Sequence, residues 1–422
     1  MKLSKRFQAF TRLIQSPMAK EHYAYFQPID RSFGTEVEVH GQRLIMAGSN
    51  DYLGLTHDPR VQEAAIQAIK RWGTGPGGSR FLSGNMTLHE ELEARLAAFV
   101  GKKHVVVHTT GFLTNLGAIS SLMQKDDVIL FDKENHASIQ EGCNNTGARI
   151  MYFEHNSRDS AERRLAQARE SHPDSVCFLI TEGVFSMSGD VANMPELIKI
   201  KRANPDLVFY LDDAHGLGVL GRGRGTAQHF GVAQDVDFIM GTFSKAMAST
   251  GGFIASDHED ALTYVKNNSK TLIFSAALAA ANAATVLECL NILEAEPERV
   301  DRLWEITRKI RTGYREIGLE FGDNESPIIP IYVGDEFKAL RISKELFKRG
   351  VFALPAIYPA VPKGKALIRT AYMSTHTDAQ LDVVLTALGE LAREFGIRVQ
   401  DTQAAQAPVR DDNAGAMAAA SS

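Results

Sequence analysis

Between residues 100 and 256 the chain alternates short, mostly apolar runs with stretches of helical periodicity. The runs are 104–109 (HVVVHT), 128–131 (VILF), 176–181 (VCFLIT), 207–211 (LVFYL), 236–240 (VDFIM) and 252–256 (GFIAS). A strand with one face in water alternates apolar and polar residues, so a strand that is apolar without a break must be covered on both faces. Such strands, separated by helices, predict an α/β fold: a large domain with a mainly parallel central sheet between helical layers. A second group follows, with strands at 327–333 (PIIPIYV) and 366–372 (ALIRTAY) and helices at 335–350 and 377–395, and it predicts a smaller C-terminal α/β domain. Upstream, Asp58 as cap and Pro59 at the first position open a helix over 57–71, with Val61, Ala65, Ala68 and Ile69 as its apolar face. These patterns divide the chain into an N-terminal segment (1–56), a large domain (57–285), a small domain (286–398) and a tail (399–422). The tail is rich in Ala, Gln, Asp and Ser and has no aromatic residue, a composition that predicts disorder.

Composition removes several function classes. The net charge of −5 argues against nucleic acid as a partner, since such proteins carry a basic face. The three cysteines, Cys143, Cys177 and Cys289, fit no metal or redox spacing and predict free thiols in a reducing, cytoplasmic setting. No apolar run reaches the length of a membrane span. Lys2, Lys5 and Arg6 are not followed by an apolar stretch of the kind a secretory signal needs. Phe7, Phe10, Leu13 and Ile14 recur instead at helical spacing. They predict an arm that packs on the body or on a second subunit, and the competing reading is peripheral contact with the inner membrane face.

In an open α/β sheet, ligands bind beyond the carboxyl ends of the strands. Each central run here is followed by chemically distinctive residues: Thr110, Gly111 and Phe112; His136; Glu182 and Ser186; Asp212, Asp213 and His215; Thr242, Ser244 and Lys245. Topology predicts that they converge on one edge. A lysine there, among hydroxyls and glycines, can form a Schiff base once burial lowers its pKa. An aspartate ending a buried strand suits a protonated ring nitrogen. Thr110 and Gly111 at a helix start offer N–H groups to a phosphate, and a histidine can lie flat on an aromatic ring. Taken singly, each has a bland alternative: a solvated charge, a cap, or a flexible loop for 73–80 (GTGPGGSR) and 221–225 (GRGRG). A metal at Asp212, Asp213 and His215 lacks further ligands at convincing spacing, so no metal is expected.

The segments SNDYLGL (49–55), GTGPGGSRFLSGN (73–85), HTTGFLTN (108–115), NHASIQEG (135–142), EGVFSMSGD (182–190), LDDAHGLGVLG (211–221), GTFSKAMASTGGF (241–253) and LIRTAYMSTHT (367–377) follow one another across residues 20–397. Through them the chain resembles the α-oxoamine synthases, a branch of the fold-type I enzymes that depend on pyridoxal 5'-phosphate (PLP). The resemblance implies PLP as cofactor, an amino acid and an acyl-CoA as substrates, and a homodimer with active sites at its interface. It implies that Lys245 carries the cofactor and removes the α-proton, Asp212 pairs with the ring nitrogen, His215 bonds the ring hydroxyl and His136 stacks on the ring. Thr110, Gly111, Phe112, Thr242 and Ser244 would surround the phosphate, with Ser186 near the ring. Arg369 with Asn50 would take the substrate carboxylate, and Ser275 would reach the phosphate bound by the partner subunit. The implied reaction is a decarboxylative condensation that releases CoA and CO2 and leaves an aminoketone. The segments AYFQPI (24–29), SPIIPI (326–331) and PAIYPAVP (355–362) are most similar to bacterial members that use serine and a long-chain acyl-CoA. The arm and residues 352–362 are then candidates to line the acyl path. Departures at Asn135, Pro76-Gly77 and Met247-Ala248 leave alanine and glycine open as alternative amino acids.

Overall fold

The computed structural model describes residues 2–15, 23–323 and 325–399. The expectation of a disordered tail lies outside the described residues from 400 onward. Val399 belongs to the body, its N–H donating to the Gly318 carbonyl at 2.8 Å. The side chains of Phe10, Leu13 and Ile14 also lie outside the description. Residues Lys2–Gln15 form a helix with Leu3 and Phe7 exposed.

The expected N-terminal segment is partly body. Strands β1 (Arg31–Ser32), β2 (Glu36–Val39) and β3 (Gln42–Met46) form an antiparallel sheet. The run EVEVHGQRLIM alternates along these strands and buries Val37, Val39 and Leu44 on one face. Seven strands then build the central sheet: β4 (His104–His108), β5 (Val128–Asp132), β6 (Arg149–Phe153), β7 (Cys177–Glu182), β8 (Val208–Asp212), β9 (Phe238–Thr242) and β10 (Gly252–Ser256), in the order β4-β10-β9-β8-β7-β5-β6. Pairing is parallel from β6 across to β9, while β10 runs antiparallel to both β9 and β4. Both faces are covered, as the unbroken runs required. Along β5, Val128 and Leu130 enter the core on one side, and Ile129 and Phe131 the core on the other. Sequence reading misses β6, an edge strand whose apolar run IMYF (150–153) is only partly covered, with Arg149 exposed and Tyr152 42% exposed.

The small domain contains β11 (Ile328–Gly334), β12 (Val351–Phe352), β13 (Leu354–Ala356) and β14 (Ala366–Ala371), with a sheet order of β11-β14-β13. β12 pairs in parallel with β3, so the N-terminal sheet is completed by the C-terminal domain. Helices Glu336–Lys348 and Asp378–Phe395 cover this unit. The expected boundary at 285 falls inside helix Ala280–Ala295, whose buried apolar residues from Ala283 to Leu293 all join the large core. The following helix, Glu298–Ile317, passes from one core to the other: Val300 and Leu303 pack in the large one, Ile306, Ile310 and Tyr314 in the small one. We infer that the domain boundary lies within this helix. Among the described residues no helix is long and apolar enough to cross a membrane.

Helix Pro59–Trp72 begins as its sequence indicates. Asp58 accepts the Arg60 N–H at 3.0 Å and Pro59 occupies the first turn. Val61 and Ala68 are buried, whereas Ile69 is 41% exposed, so the buried stripe is narrower than expected. The Asp58 carboxylate also meets Arg60 at 2.8 Å and Arg299 at 3.0 Å, tying this helix to Glu298–Ile317. Hydrogen bonds from Arg60 hold the Asp58 carboxyl below its usual range. Asp58→Ala is expected to cost about 1 to 2 kcal/mol in urea unfolding at neutral pH, the range for a lost cap. Because the folded pKa is depressed, the ionic part of this stability is complete above the unfolded value of about 3.9 and is lost as pH falls through the folded one. Wild type and variant should therefore converge in acid.

Candidate active site

Since β4 and β9 are both antiparallel to β10, they are parallel to each other, and the carboxyl ends of β4, β9, β8, β7 and β5 open on one edge. The residues that follow these strands meet there.

Asp212 ends β8 and is buried. Its carboxylate accepts Asn115 Nδ2–H at 2.6 Å and the Ala214 N–H at 3.0 Å. Asn115 is held in turn by Tyr210, whose hydroxyl donates to Asn115 Oδ1 at 2.8 Å. Lys245 follows β9 and is half-buried. Desolvation draws its ammonium down to about 8 with help from the Arg369 charge, against the pull of Asp212, Glu182 and Asp213. Glu182 is buried at the end of β7, and burial followed by the Asp212 charge pushes its carboxyl well up. It accepts the His136 N–H at 2.5 Å.

His136 opens helix Ala137–Asn144, and its Nδ1 lies 2.8 Å from Ser138 Oγ. Burial, then Lys245, lowers its pKa. His215 is buried, and desolvation followed by the Lys245 and Arg369 charges drives its pKa well down, so the ring is neutral. Its Nδ1 lies 2.7 Å from the Tyr52 hydroxyl. Burial pushes that phenol up to about 12, so the Tyr52 hydroxyl stays protonated through the neutral range.

Helix Gly111–Leu122 begins at the end of β4. Thr110 Oγ1 caps the Leu113 N–H at 3.1 Å, leaving the N–H groups of Gly111 and Phe112 without an intrahelical partner. A Cβ on Gly111 would stand 2.6 Å from Thr242 Oγ1, so glycine is what lets this helix start approach the Thr242 and Ser244 hydroxyls, themselves 3.0 Å apart. The Phe112 ring is 44% exposed, which leaves its backbone as the useful group.

Arg369 reaches the site from β14 of the small domain. Its Nε donates to the Ser186 carbonyl at 2.7 Å and its Nη2 to Asn50 Oδ1 at 2.9 Å. Among the described residues no carboxylate pairs with it. It lies at a cavity of about 610 Å³ whose walls include Tyr25, Met187, Phe352, Leu354 and Tyr358. Ser275 stands apart from this group. It follows the short helix Lys270–Ile273, near the glycine-rich loop, where the Ala277 N–H donates to the Gly78 carbonyl at 2.9 Å.

Three contributors escape a search by residue chemistry. Asn115, Tyr52 and Tyr210 are neutral side chains whose importance lies in what they hold. The first two sit within HTTGFLTN and SNDYLGL, so position inside those segments was the available signal.

Residues 43–388 match the family described as Aminotransferase class I and II. A serine palmitoyltransferase of Bacteroides thetaiotaomicron is 45% identical over 384 residues, covering 91% of this chain and 95% of that protein. An 8-amino-7-oxononanoate synthase of Thermoanaerobacter pseudethanolicus is 38% identical, covering 89% and 94% respectively. Among solved structures, a serine palmitoyltransferase from S. paucimobilis with a bound PLP–myriocin aldimine superposes with a TM-score of 0.89 at 30% identity, covering 94% of this chain and 99% of that one. The chain belongs to the aminotransferase class I and II family, with bacterial serine palmitoyltransferases among its relatives.

Proposed function

We propose that this chain is a PLP-dependent acyltransferase that condenses L-serine with palmitoyl-CoA, releasing CoA and CO2 and leaving a 3-oxo sphinganine-type aminoketone. The observation that carries this reading is Arg369. A guanidinium with no carboxylate partner among the described residues, aimed by Ser186 and Asn50, stands between the Lys245 cluster and an apolar cavity.

The residues present fit PLP. A phosphate group needs clustered donors, and the N–H groups of Gly111 and Phe112 with the Thr242 and Ser244 hydroxyls supply them, in space that a Cβ at Gly111 would fill. The ring nitrogen needs an anion, which is Asp212. The ring hydroxyl needs a hydrogen-bond partner, which is His215, and the ring face suits His136. Bound there, PLP supplies an electron sink for charge that develops at the α-carbon of the amino acid. Lys245, drawn down to about 8, exchanges protons readily near neutral pH and serves as the base at that carbon. Arg369 receives the substrate carboxylate. The apolar walls formed by Phe352, Leu354 and Tyr358 shield the acyl chain, for which each buried CH2 contributes about 0.8 kcal/mol.

Dimerisation belongs to the same reading. Phe274 is 83% exposed beside Ser275, and Leu82 is 79% exposed on the glycine-rich loop, so this face presents bare apolar surface next to the residue expected to serve a partner subunit. A two-fold interface would cover it. The helix Lys2–Gln15, with Leu3 and Phe7 exposed next to Lys5 and Arg6, fits contact with the partner, and a cytoplasmic membrane face is its competing surface.

Lys245→Ala is expected to abolish turnover and the visible absorbance of the lysine-bound cofactor. Asp212→Asn should slow α-proton exchange of bound amino acid at least about tenfold, roughly 1.4 kcal/mol of barrier. Exchange untouched in Asp212→Asn but lost in Asp213→Asn would mean that the wrong aspartate has been assigned.

A CoA-release assay at fixed palmitoyl-CoA should rank serine above alanine and glycine, since a site that bonds the serine hydroxyl leaves polar groups unpaired with alanine. With serine fixed, kcat/KM should rise from short to long acyl-CoA. Preference for alanine would move the chain to the oxononanoate synthase activity, and preference for acetyl-CoA would remove the long-chain assignment.

Light scattering on the purified holoenzyme should give a dimer, and Ser275→Ala should weaken PLP retention. A fully active monomer would take Ser275 out of the site.

A further inference from the structure

We propose that Asp132, His155 and Asp190 form a positioning clamp that sets the orientation of Arg369. This inference rests on the reading of Arg369 as the receiver of the substrate carboxylate.

The clamp acts on the turn that carries Ser186. Residues 183–192 fold back on themselves: Val184 bridges Val191, the Phe185 N–H donates to the Asp190 carbonyl at 2.8 Å, and the Ala192 N–H donates to the Gly183 carbonyl at 2.9 Å. Ser186 sits at the tip, and its carbonyl is the acceptor for Arg369 Nε. Arg369 and this turn come from different domains, so any movement of the tip changes the direction in which the guanidinium points.

His155 grips both flanks of the tip. Its ring stands edge-on to Phe185, with centroids 4.3 Å apart and planes at 90°. Its Nε2 lies 3.3 Å from Asp190 Oδ2. On the other side, Nδ1 lies 3.0 Å from Asp132 Oδ1. Asp132 is fully buried at the end of β5, so the clamp is anchored in the central sheet. The base of the hairpin is secured next door, where Asn156 Nδ2 donates to the Val191 carbonyl at 3.2 Å and Asn156 Oδ1 accepts the Asn193 N–H at 3.1 Å.

Charge strengthens the grip. Burial works against the imidazolium, but the hydrogen bonds to Asp132 and Asp190, with the nearby Asp132 and Glu134 charges, raise His155 to about 10. Both bonds are therefore charge-assisted through the neutral range, the stronger class of hydrogen bond. Glu134 faces the same ring, its carboxylate 3.9 Å from Nε2, too far for a hydrogen bond. Glu134, His155 and Asp190 stand close enough to suggest a cation site, yet both His155 nitrogens already face carboxylates, which makes the group a clamp.

The test is steady-state kinetics on the PLP-loaded enzyme, with serine and palmitoyl-CoA varied separately. His155→Ala should raise KM for serine about fivefold or more, with kcat within about twofold and KM for palmitoyl-CoA unchanged. Asp190→Asn should move the same parameter in the same direction, Asp190→Glu should recover much of the loss, and Glu134→Gln should behave as wild type. In an Arg369→Lys background, His155→Ala should add little, because the two residues act on one contact. If His155→Ala does not fold, Asp190→Asn decides alone. If Arg369→Lys leaves KM for serine unchanged, the carboxylate reading itself falls. If Arg369→Lys raises it while His155→Ala and Asp190→Asn do not, the clamp is refuted and the carboxylate reading stands.

Discussion

The partial burial of the Lys245 charge among Asp212, Glu182, Asp213 and Arg369 is the interaction on which the rest of this site depends. An exposed lysine stays protonated far above neutral pH and makes a poor base. Lowering it requires removing water, and removing water requires walls. The central sheet supplies them because helices cover both of its faces, so the carboxyl edge is the place where polar groups can gather in a dry setting. Opposing contributions keep the shift moderate: desolvation and Arg369 pull down, and Asp212, Glu182 and Asp213 pull up. The balance near 8 suits a group that must both lose and regain a proton.

Asp212 and Asp213 illustrate how neighbouring residues of one type take separate roles. Successive side chains at a strand end point to opposite faces. Asp212 turns toward Asn115 and the site. Asp213 turns toward Thr226, accepting its N–H at 2.7 Å and its hydroxyl at 2.5 Å. A Cβ at Gly183, Gly216 or Gly225 would lie within 2.3 Å of the Asp213 carboxylate, so glycines give it room. Burial raises Asp213 to about 6, while hydrogen bonds from Thr226 oppose the rise. It braces the loop that holds His215, and the two aspartates are not interchangeable.

The small domain adds what the sheet edge lacks. In the proposed reading the sheet contributes a lysine, carboxylates and a helix start, which hold a phosphorylated ring but do not select a substrate. Arg369 and the apolar walls at 352–358 arrive from the small domain, with Asn50 and Tyr52 from the N-terminal segment that β12 ties to it through β3. On that reading substrate choice sits where the units meet, and cavity side chains such as Tyr25, with its hydroxyl 3.1 Å from the Pro355 carbonyl, shape that meeting.

Much of this was legible in the sequence. Runs such as VILF and LVFYL cannot be half-exposed, so a sheet covered on both faces follows from apolar content alone, and with it the convergence of Lys245, Asp212, His136, His215 and Thr242 at the strand ends. The cap at Asp58 was equally plain, since it is set by local backbone geometry. The pairing of β3 with β12 and the boundary within Glu298–Ile317 were not legible, because each depends on partners far away in the chain. The same reason hides Asn115, Tyr52 and His155. Their side chains carry no distinctive pattern, and their roles arise from hydrogen bonds across separate elements. The sequence by itself determined which groups gather and on which edge, because periodicity and apolar content are local properties. Tertiary structure alone decided how those groups are oriented and charged, because direction and desolvation come from neighbours that the chain brings together only on folding.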